Sequence, residues 1–194
     1  MTTQNDLRQF EIEPHLARRS SPRAYSHTDT LTQEDLGPAF EAARWSASLG
    51  NTQPWSFVVG FRGDDVFETI VGTMAPGNAV WAQHVSALIA NVTEVETEDG
   101  KERTHAVYDL GQSVAYFCAQ ATASGLLTHQ MSGFDQEALR IALGLSPRFR
   151  VMSLLAVGTP GDIKDLPENL QEREVLPRVR RPLSEIVGGS VSYA

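Results

Sequence analysis

A short segment near the start of the sequence places two arginines around a pair of serines. Residues 19–23 read Arg-Ser-Ser-Pro-Arg, so that Arg19, Ser21 and Arg23 alternate along the segment. Each guanidinium is a planar fork of N–H donors that suits a phosphate, and the serine hydroxyl adds another donor. The segment therefore predicts an anion-binding site. A solvated basic turn has the same composition, so the segment alone leaves both interpretations open.

A second basic segment lies near the end of the chain. Residues 178–182 read Arg-Val-Arg-Arg-Pro, and on an extended segment Arg178 and Arg180 point the same way and can meet one anion. A solvated tail is the alternative. The formal net charge of the chain is −8, so we expect these segments to form local anion sites. A nucleic-acid partner is not expected, because it calls for a basic face.

Amide side chains gather in the turn-rich stretch 47–55, which reads Ala-Ser-Leu-Gly-Asn-Thr-Gln-Pro-Trp. The stretch separates a predicted helix from a predicted strand, and loops at such junctions commonly build ligand sites. Asn51 and Gln53 can each donate and accept hydrogen bonds, which suits the mixed polar edge of a heterocycle. An ordinary turn capped by asparagine is the other interpretation.

Two glycine turns, at residues 124–126 and 132–135, flank a predicted loop. Glycine allows a ligand to approach the backbone closely, so either turn could border a binding site. Helix capping by Gly125 and Asp135 is expected in both interpretations.

Other kinds of active site lack their signatures in this sequence. There is no glycine-rich phosphate loop and no nucleophile elbow, and the five histidines show no metal-ligand spacing. The single cysteine, Cys118, lies on the apolar stripe of a predicted helix and is interpreted as a core residue. A chain with one cysteine favours a reducing, cytoplasmic location. Residues 1–13 lack the pattern of a signal peptide, and no stretch approaches the roughly 20 apolar residues of a membrane span.

Hydrophobic periodicity predicts the elements that must position these side chains. Helices are predicted at 30–47, 66–71, 108–124 and 135–143, and strands at 57–59, 85–92 and 151–157. The first helix has two candidate starts, a capping box formed by Thr30 and Gln33 or an N-cap at Thr32. Residues 1–14 are predicted to be a polar lead-in, residues 72–78 a loop, and the residues between the two glycine turns a further loop. Short apolar strands alternating with helices favour a central sheet that helices cover on both faces.

The order of these motifs resembles the FMN-dependent nitroreductase family, from about residue 16 to residue 187. The resemblance implies a three-layer α+β fold, with a central mixed, mainly antiparallel sheet flanked by helices. It also implies one domain over residues 1–194 that acts as a homodimer. Residues 160–194, which are rich in proline and charge, would form an extended arm around the partner.

The resemblance gives roles to the basic residues. In the family the first arginine segment holds the FMN phosphate and its neighbouring groups, and here the matching residues are Arg19, Ser21 and Arg23. Arg178 and Arg180 match the basic pair that joins the same anion site. Arg23 would also lie near flavin N1 and O2, where its charge stabilises the negative charge of reduction.

The amide loop matches the family loop that reaches the flavin across the dimer interface. Ala47, Ser48 and Leu49 occupy its first places, and Asn51 and Gln53 follow. Ala47 stands where the family usually has proline. This difference loosens the loop and removes no side-chain hydrogen bond, so the resemblance still implies flavin binding.

The turn at Met131, Ser132 and Gly133 matches the place where the family directs a backbone N–H at flavin N5. Asn78 matches a further asparagine at the flavin edge, with a spacing that the sequence does not fix. The stretch between residues 60 and 85 is shorter than in larger members and holds no aromatic lid, so the substrate stays open.

The resemblance implies ping-pong hydride transfer from NADH or NADPH, through flavin N5, to a nitroaromatic, a quinone or another electrophile. No side chain is assigned a catalytic role, and no metal is expected. The alternatives are a flavin-dependent dehydrogenase or oxidase, a non-catalytic FMN-binding module, and a scaffold that has lost flavin. Fold and cofactor do not separate these, since one fold serves many reactions.

Overall fold

A four-stranded sheet forms the centre of the computed structural model, which describes residues 10–187. Its strands are β1 (Trp55–Phe61), β2 (Ala87–Glu94), β3 (Leu127–Met131) and β4 (Phe149–Gly158). They lie in the order β1-β2-β4-β3, and every neighbouring pair runs antiparallel. The α-helices of the described residues are α1 (Pro14–Arg18), α2 (Gln33–Arg44), α3 (Asp65–Gly72), α4 (Pro76–Ala82), α5 (Ala106–Ala123), α6 (Gln136–Ala142) and α7 (Glu168–Glu174).

The central strands are apolar on both faces, and helices cover both. Along β2, Leu88 and Ala90 belong to the core under α3, α4 and α6, whereas Ile89 belongs to the core under α2 and α5. This alternation follows from the two-residue period of a strand. The predicted three-layer α+β architecture is confirmed.

The helix ends follow the local chemistry of the sequence. Thr32 is the N-cap of α2, and it forms a capping box with Asp35. The alternative start at Thr30 is therefore wrong. Gly125, with a φ of 84°, ends α5, and the Asp135 side chain accepts a hydrogen bond from the first turn of α6, so both predicted caps are confirmed.

Strand β3 lies where the sequence predicted a loop. It reads Leu-Thr-His-Gln-Met, so it has no apolar run and its central residues are polar. It nevertheless pairs along its whole length with β4. Its polar side chains are accommodated by tertiary contacts that the sequence pattern does not show, which is why periodicity missed the strand.

Two short helices were not predicted, and one of them begins inside a predicted loop. Helix α4 begins at Pro76, within the stretch 72–78, and helix α1 begins at Pro14. In both, proline occupies the first turn, where its missing N–H has no intrahelical partner to lose. Of the polar lead-in predicted at residues 1–14, residues 1–9 lie outside the described part of the chain.

The chain after β4 returns to its own core before it becomes exposed. Backbone hydrogen bonds join residues 159 and 161 to Ser26 and Ala24. Leu166 and Leu170 are buried, whereas residues 175–187 are exposed. Wrapping around a partner therefore stays a prediction for residues 175–187, and the preceding part packs on its own protomer. None of the described helices has the length and apolar character to span a membrane.

Candidate functional site

The first basic segment follows directly from the end of α1. The Arg19 guanidinium stays local, because its Nη1 donates to the Ser20 carbonyl at 2.9 Å and contacts the Ser21 hydroxyl at 3.4 Å. Arg19 and Ser21 therefore form one small cluster of donors at the surface.

The structure joins this cluster to the second basic segment. Arg178 donates from Nη1 to the Arg19 carbonyl and from Nη2 to the Ala17 carbonyl, both at 2.6 Å. Two segments about 160 residues apart in sequence thus meet at the C-terminal end of α1. Arg180 is exposed, and its one described hydrogen bond is to the neighbouring Val179 carbonyl. The structure therefore brings Arg178, and not Arg180, into contact with Arg19.

Arg23 lies on the inner side of the same segment and is paired. Its backbone N–H and its Nη1 donate to the two carboxylate oxygens of Glu174, each at 3.0 Å. The Arg23 and Glu174 side chains are only 19% and 8% exposed. Glu174, the last residue of α7, was not among the predicted site residues. It belongs to a charged stretch that gives no sequence signal of a buried partner.

A buried aromatic group supports this segment from below. The rings of Tyr25 and Trp81 stack at 6.0 Å, and the His129 ring lies 4.7 Å from Trp81. His129 Nδ1 lies 2.9 Å from the Pro22 carbonyl, so the ring donates to it and ties β3 to the basic segment. Burial lowers the pKa of His129 and raises the pKa of Tyr25, so both side chains are uncharged at neutral pH.

Cys118 is confirmed as a core residue. It is 3% exposed on the inner face of α5, and burial raises the pKa of its thiol. A buried thiol held in its protonated form is a poor nucleophile. Among residues 10–187, no group of three or more histidine, cysteine, aspartate and glutamate side chains is arranged to hold a metal ion.

The amide loop has a strained backbone. Asn51 and Gln53 have φ values of 57° and 48°, in the left-handed region that residues with a side chain rarely adopt. The Gln53 side chain donates to Asn51 Oδ1 at 3.1 Å, and the Ser48 hydroxyl accepts from the Gln53 N–H at 3.0 Å. Observed strain in an exposed loop is a reason to infer function there.

A buried carboxylate anchors the loop. Asp109, on the buried face of α5, accepts a hydrogen bond from the Leu49 N–H at 3.1 Å, and it is 3% exposed. Asp109 was not among the predicted site residues. The available signal was an acidic side chain next to Leu110 in an otherwise apolar stripe, because a buried carboxylate requires a partner.

The turn after β3 presents backbone donors. Met131 is buried and ends the strand, and the Gly133 carbonyl accepts from Ala75 N at 2.9 Å and from Asn78 Nδ2 at 3.0 Å. The N–H groups of Ser132 and Gly133 donate to no acceptor within residues 10–187. The turn is therefore fixed through its carbonyl while its N–H groups are available to a ligand.

The amide loop and this turn lie on opposite edges of the sheet. The loop precedes β1 and the turn follows β3, and the two central strands separate these edges. At the usual spacing of about 4.8 Å per strand, the edges are roughly 14 Å apart. Within one protomer, the width of the sheet therefore separates the amide loop from the turn.

A groove of about 440 Å³ lies elsewhere, between α1 and α5. Its mainly apolar lining comprises His15, Leu16, Ala42, Ala115, Tyr116, Ala119, Gln120 and Ala123. It contains neither the turn at 131–133 nor the amide loop. Its chemistry suits contact with protein more than contact with an anion.

Comparison with known proteins relates this geometry to a family. Residues 16–70, which include the first basic segment and the amide loop, match the sequence model of the nitroreductase family. An uncharacterized 15.4 kDa protein from Mycolicibacterium smegmatis is 34% identical over 138 residues, which are 67% of this chain and 92% of that protein.

Solved structures share the fold. An oxidoreductase containing FMN superposes with a TM-score of 0.90 at 27% sequence identity, over 98% of both chains. A putative nitroreductase from Desulfovibrio desulfuricans in complex with FMN superposes with a TM-score of 0.72 at 21% identity, over 95% of this chain and 100% of that chain. The first similarity extends over nearly every element described above.

Proposed function

The chain belongs to the nitroreductase family and is an FMN-dependent oxidoreductase, and we propose that it transfers hydride from NAD(P)H to an electrophilic small molecule. Bound FMN would supply the redox chemistry, accepting hydride at N5 from NAD(P)H and delivering it in a ping-pong cycle to a nitroaromatic, a quinone or a similar acceptor. The turn at residues 131–133, with its available backbone N–H groups, is the observation that carries this proposal.

The basic cluster fits the phosphate end of FMN. Arg19 and Ser21 offer a guanidinium and a hydroxyl side by side, and Arg178 adds its charge while it fixes the Arg19 backbone. Charge-assisted hydrogen bonds of this kind are the strong ones. Arg180 is exposed and can turn toward the same phosphate. Arg23 would serve the flavin N1 and O2 side with the guanidinium nitrogens that Glu174 does not occupy.

The turn after β3 fits the reacting edge of the ring. The Ser132 or Gly133 N–H would donate to N5, which a main-chain group does whatever the side chain. The buried Met131 anchors the turn in the core, and the Asn78 side chain donates a hydrogen bond to the Gly133 carbonyl. These residues orient the ring, and protons would come from solvent, because no side chain here is assigned as a general acid.

A homodimer would complete the site. Because the amide loop and the turn lie on opposite edges of one sheet, we propose that Ala47, Ser48, Leu49, Asn51 and Gln53 contact the flavin bound by the partner. The loop region carries exposed apolar side chains: Leu49 within the loop, Trp45 just before it, and Tyr108 next to Asp109 on α5, at 58%, 71% and 68% exposure. Covering them favours association through the hydrophobic effect. Cytoplasmic location remains a prediction from the single cysteine.

The test is anaerobic mixing of the FMN-loaded protein with NADH and with NADPH, followed by a nitroaromatic or a quinone. We expect the flavin absorbance to bleach with at least one nucleotide and to return with the acceptor. The Arg19→Gln/Arg180→Gln variant should lose FMN and show neither change. A flavin that binds and stays oxidised with both nucleotides would contradict the reductase and favour a binding module or an oxidase.

A further inference from the structure

Helix α7, the last α-helix of the described residues, contacts the predicted phosphate segment through a partly buried ion pair. Glu174 accepts hydrogen bonds from both the backbone N–H and the guanidinium of Arg23, at 3.0 Å each. The Glu174 side chain is more buried than that of Arg23. A carboxylate that binds both parts of one arginine fixes its backbone and its side chain together.

A second contact, made by Arg178 four residues after Glu174, holds the other end of the same segment. Arg178 donates to the carbonyls of Ala17 and Arg19 at 2.6 Å. Residues 174–178, which we name the C-terminal clasp, therefore hold residues 17–23 at both ends. Of the proposed phosphate ligands, Arg19 takes part in the second contact through its carbonyl, and Ser21 lies between the two contacts.

We propose that Glu174 is a positioning residue for FMN, acting through Arg23 to fix the clasp on the phosphate segment. FMN binding and docking of the clasp are then coupled, so each strengthens the other. This inference rests on the proposed function, since it concerns the same site. To the proposed FMN site it adds Glu174, a residue that does not contact FMN. It also makes the affinity for FMN depend on the docking of the C-terminal clasp.

The packing supports a positioning role over a general structural one. Helix α7 is anchored independently by Leu170, which is buried in the core. The position of Glu174, at the end of α7, is therefore set by the helix. Glu174 in turn fixes Arg23, and Arg23 is not needed to hold Glu174 in place. Breaking a buried pair leaves the remaining charge without a partner, so Arg23 would move toward solvent and take the segment with it.

The first test compares Glu174→Gln with Glu172→Gln, a matched loss of charge at an exposed position of the same helix. Glu174→Gln should raise the Kd for FMN about tenfold, equivalent to about 1.4 kcal/mol, and Glu172→Gln should leave the Kd unchanged. In a chain that already carries Arg23→Gln, Glu174→Gln should add less than a twofold change. Additive losses would show that Glu174 does not act through Arg23 and would overturn the proposal.

The second test uses trypsin cleavage after Arg180, in the exposed segment that follows the clasp. Without FMN, Glu174→Gln and Arg178→Gln should both be cleaved several-fold faster than the wild type, and Glu172→Gln should not. FMN should slow cleavage of the wild type several-fold. Arg178→Gln leaves the buried pair intact, so it tests the clasp if Glu174→Gln fails to fold.

The outcomes separate the two proposals. Suppose that the wild type binds FMN, that FMN does not slow cleavage, and that Glu174→Gln keeps the wild-type Kd. The proposed role of the clasp is then wrong, whereas the proposed oxidoreductase function is unaffected. If the wild type does not bind FMN after reconstitution, the proposed function fails, and coupling to FMN fails with it.

Discussion

Gly133 occupies a position where even one methyl group would meet a neighbour. A Cβ added there would lie 2.7 Å from Asn78 Nδ2, the atom that holds the Gly133 carbonyl. Gly133→Ala should therefore displace the Asn78 amide and shift the turn that presents the N–H groups. We expect a loss of about 1–3 kcal/mol in the free energy of unfolding, measured by urea denaturation, and slower flavin reduction in stopped flow.

Asn78→Ala provides the control for this interpretation. In a chain that carries both substitutions the clashing amide is absent, so the second substitution should recover most of the stability lost in Gly133→Ala. Stability losses that simply add would mean that the two residues do not interact as the geometry indicates.

We expect His129 to make the stability of the protein depend on pH. Burial is the main cause of its lowered pKa, and its unfolded value is about 6.5. As the pH falls below 6.5, the unfolded chain binds the proton first, so the free energy of unfolding should decrease until the pH passes the folded pKa. Above pH 6.5 the contribution is fully present. Urea denaturation at several pH values between about 7.5 and about 5.5 measures how the free energy of unfolding changes with pH.

His129→Gln should flatten this slope while it keeps a donor for the Pro22 carbonyl. A smaller slope should remain, because burial also lowers the pKa of His84. An unchanged slope in His129→Gln would show that His129 is not the group responsible.

At the scale of elements, we expect the strained backbone of the amide loop to lower the stability of the protein. Gln53 has a φ of 48°, which glycine adopts without strain. Gln53→Gly should therefore stabilise the FMN-free protein by about 1 kcal/mol and weaken FMN binding, since the amide is lost. Thermal unfolding and FMN titration measure the two effects.

Gly50→Ala is the opposite control in the same loop. Gly50 has a φ of 58°, so alanine should destabilise the loop by about 1 kcal/mol while it keeps both amides. If Gln53→Gly instead destabilised the FMN-free protein, the left-handed backbone at residue 53 would not be a source of strain.

Most elements could be predicted because their signals are local. The apolar runs of β2 and β4, the stripe of α5 and the caps at Gly125 and Asp135 all depend on nearby residues. Strand β3 could not be predicted in this way, because polar residues form its centre and only its pairing with β4 makes it a strand.

The candidate site could be proposed from its residue types, but the contacts of those residues could not be predicted from the sequence. The arginines and amides stand out by composition, and the family resemblance assigned them roles. The ion pair of Arg23 with Glu174 joins residues 151 positions apart, and the hydrogen bond from Leu49 to Asp109 joins residues 60 positions apart. Only the fold makes such pairs, so the sequence indicated neither Glu174 nor Asp109.

At the scale of the whole molecule, the sheet determines how the site must be assembled. The amide loop and the turn after β3 belong to opposite edge strands. The exposed apolar side chains lie around the loop, along α5 and in the C-terminal segment, where a second protomer could cover them. We therefore expect each complete flavin site to need two chains, and each dimer to hold two sites.

The most direct measurement is light scattering during size-exclusion chromatography of the FMN-reconstituted protein, with flavin absorbance recorded on the same peak. We expect a particle of two chains that carries one FMN per chain. In Asn51→Ala/Gln53→Ala the particle should remain dimeric and carry less flavin. A single chain that retains FMN through the column, or a dimer that cannot be loaded with FMN, would contradict the central claim.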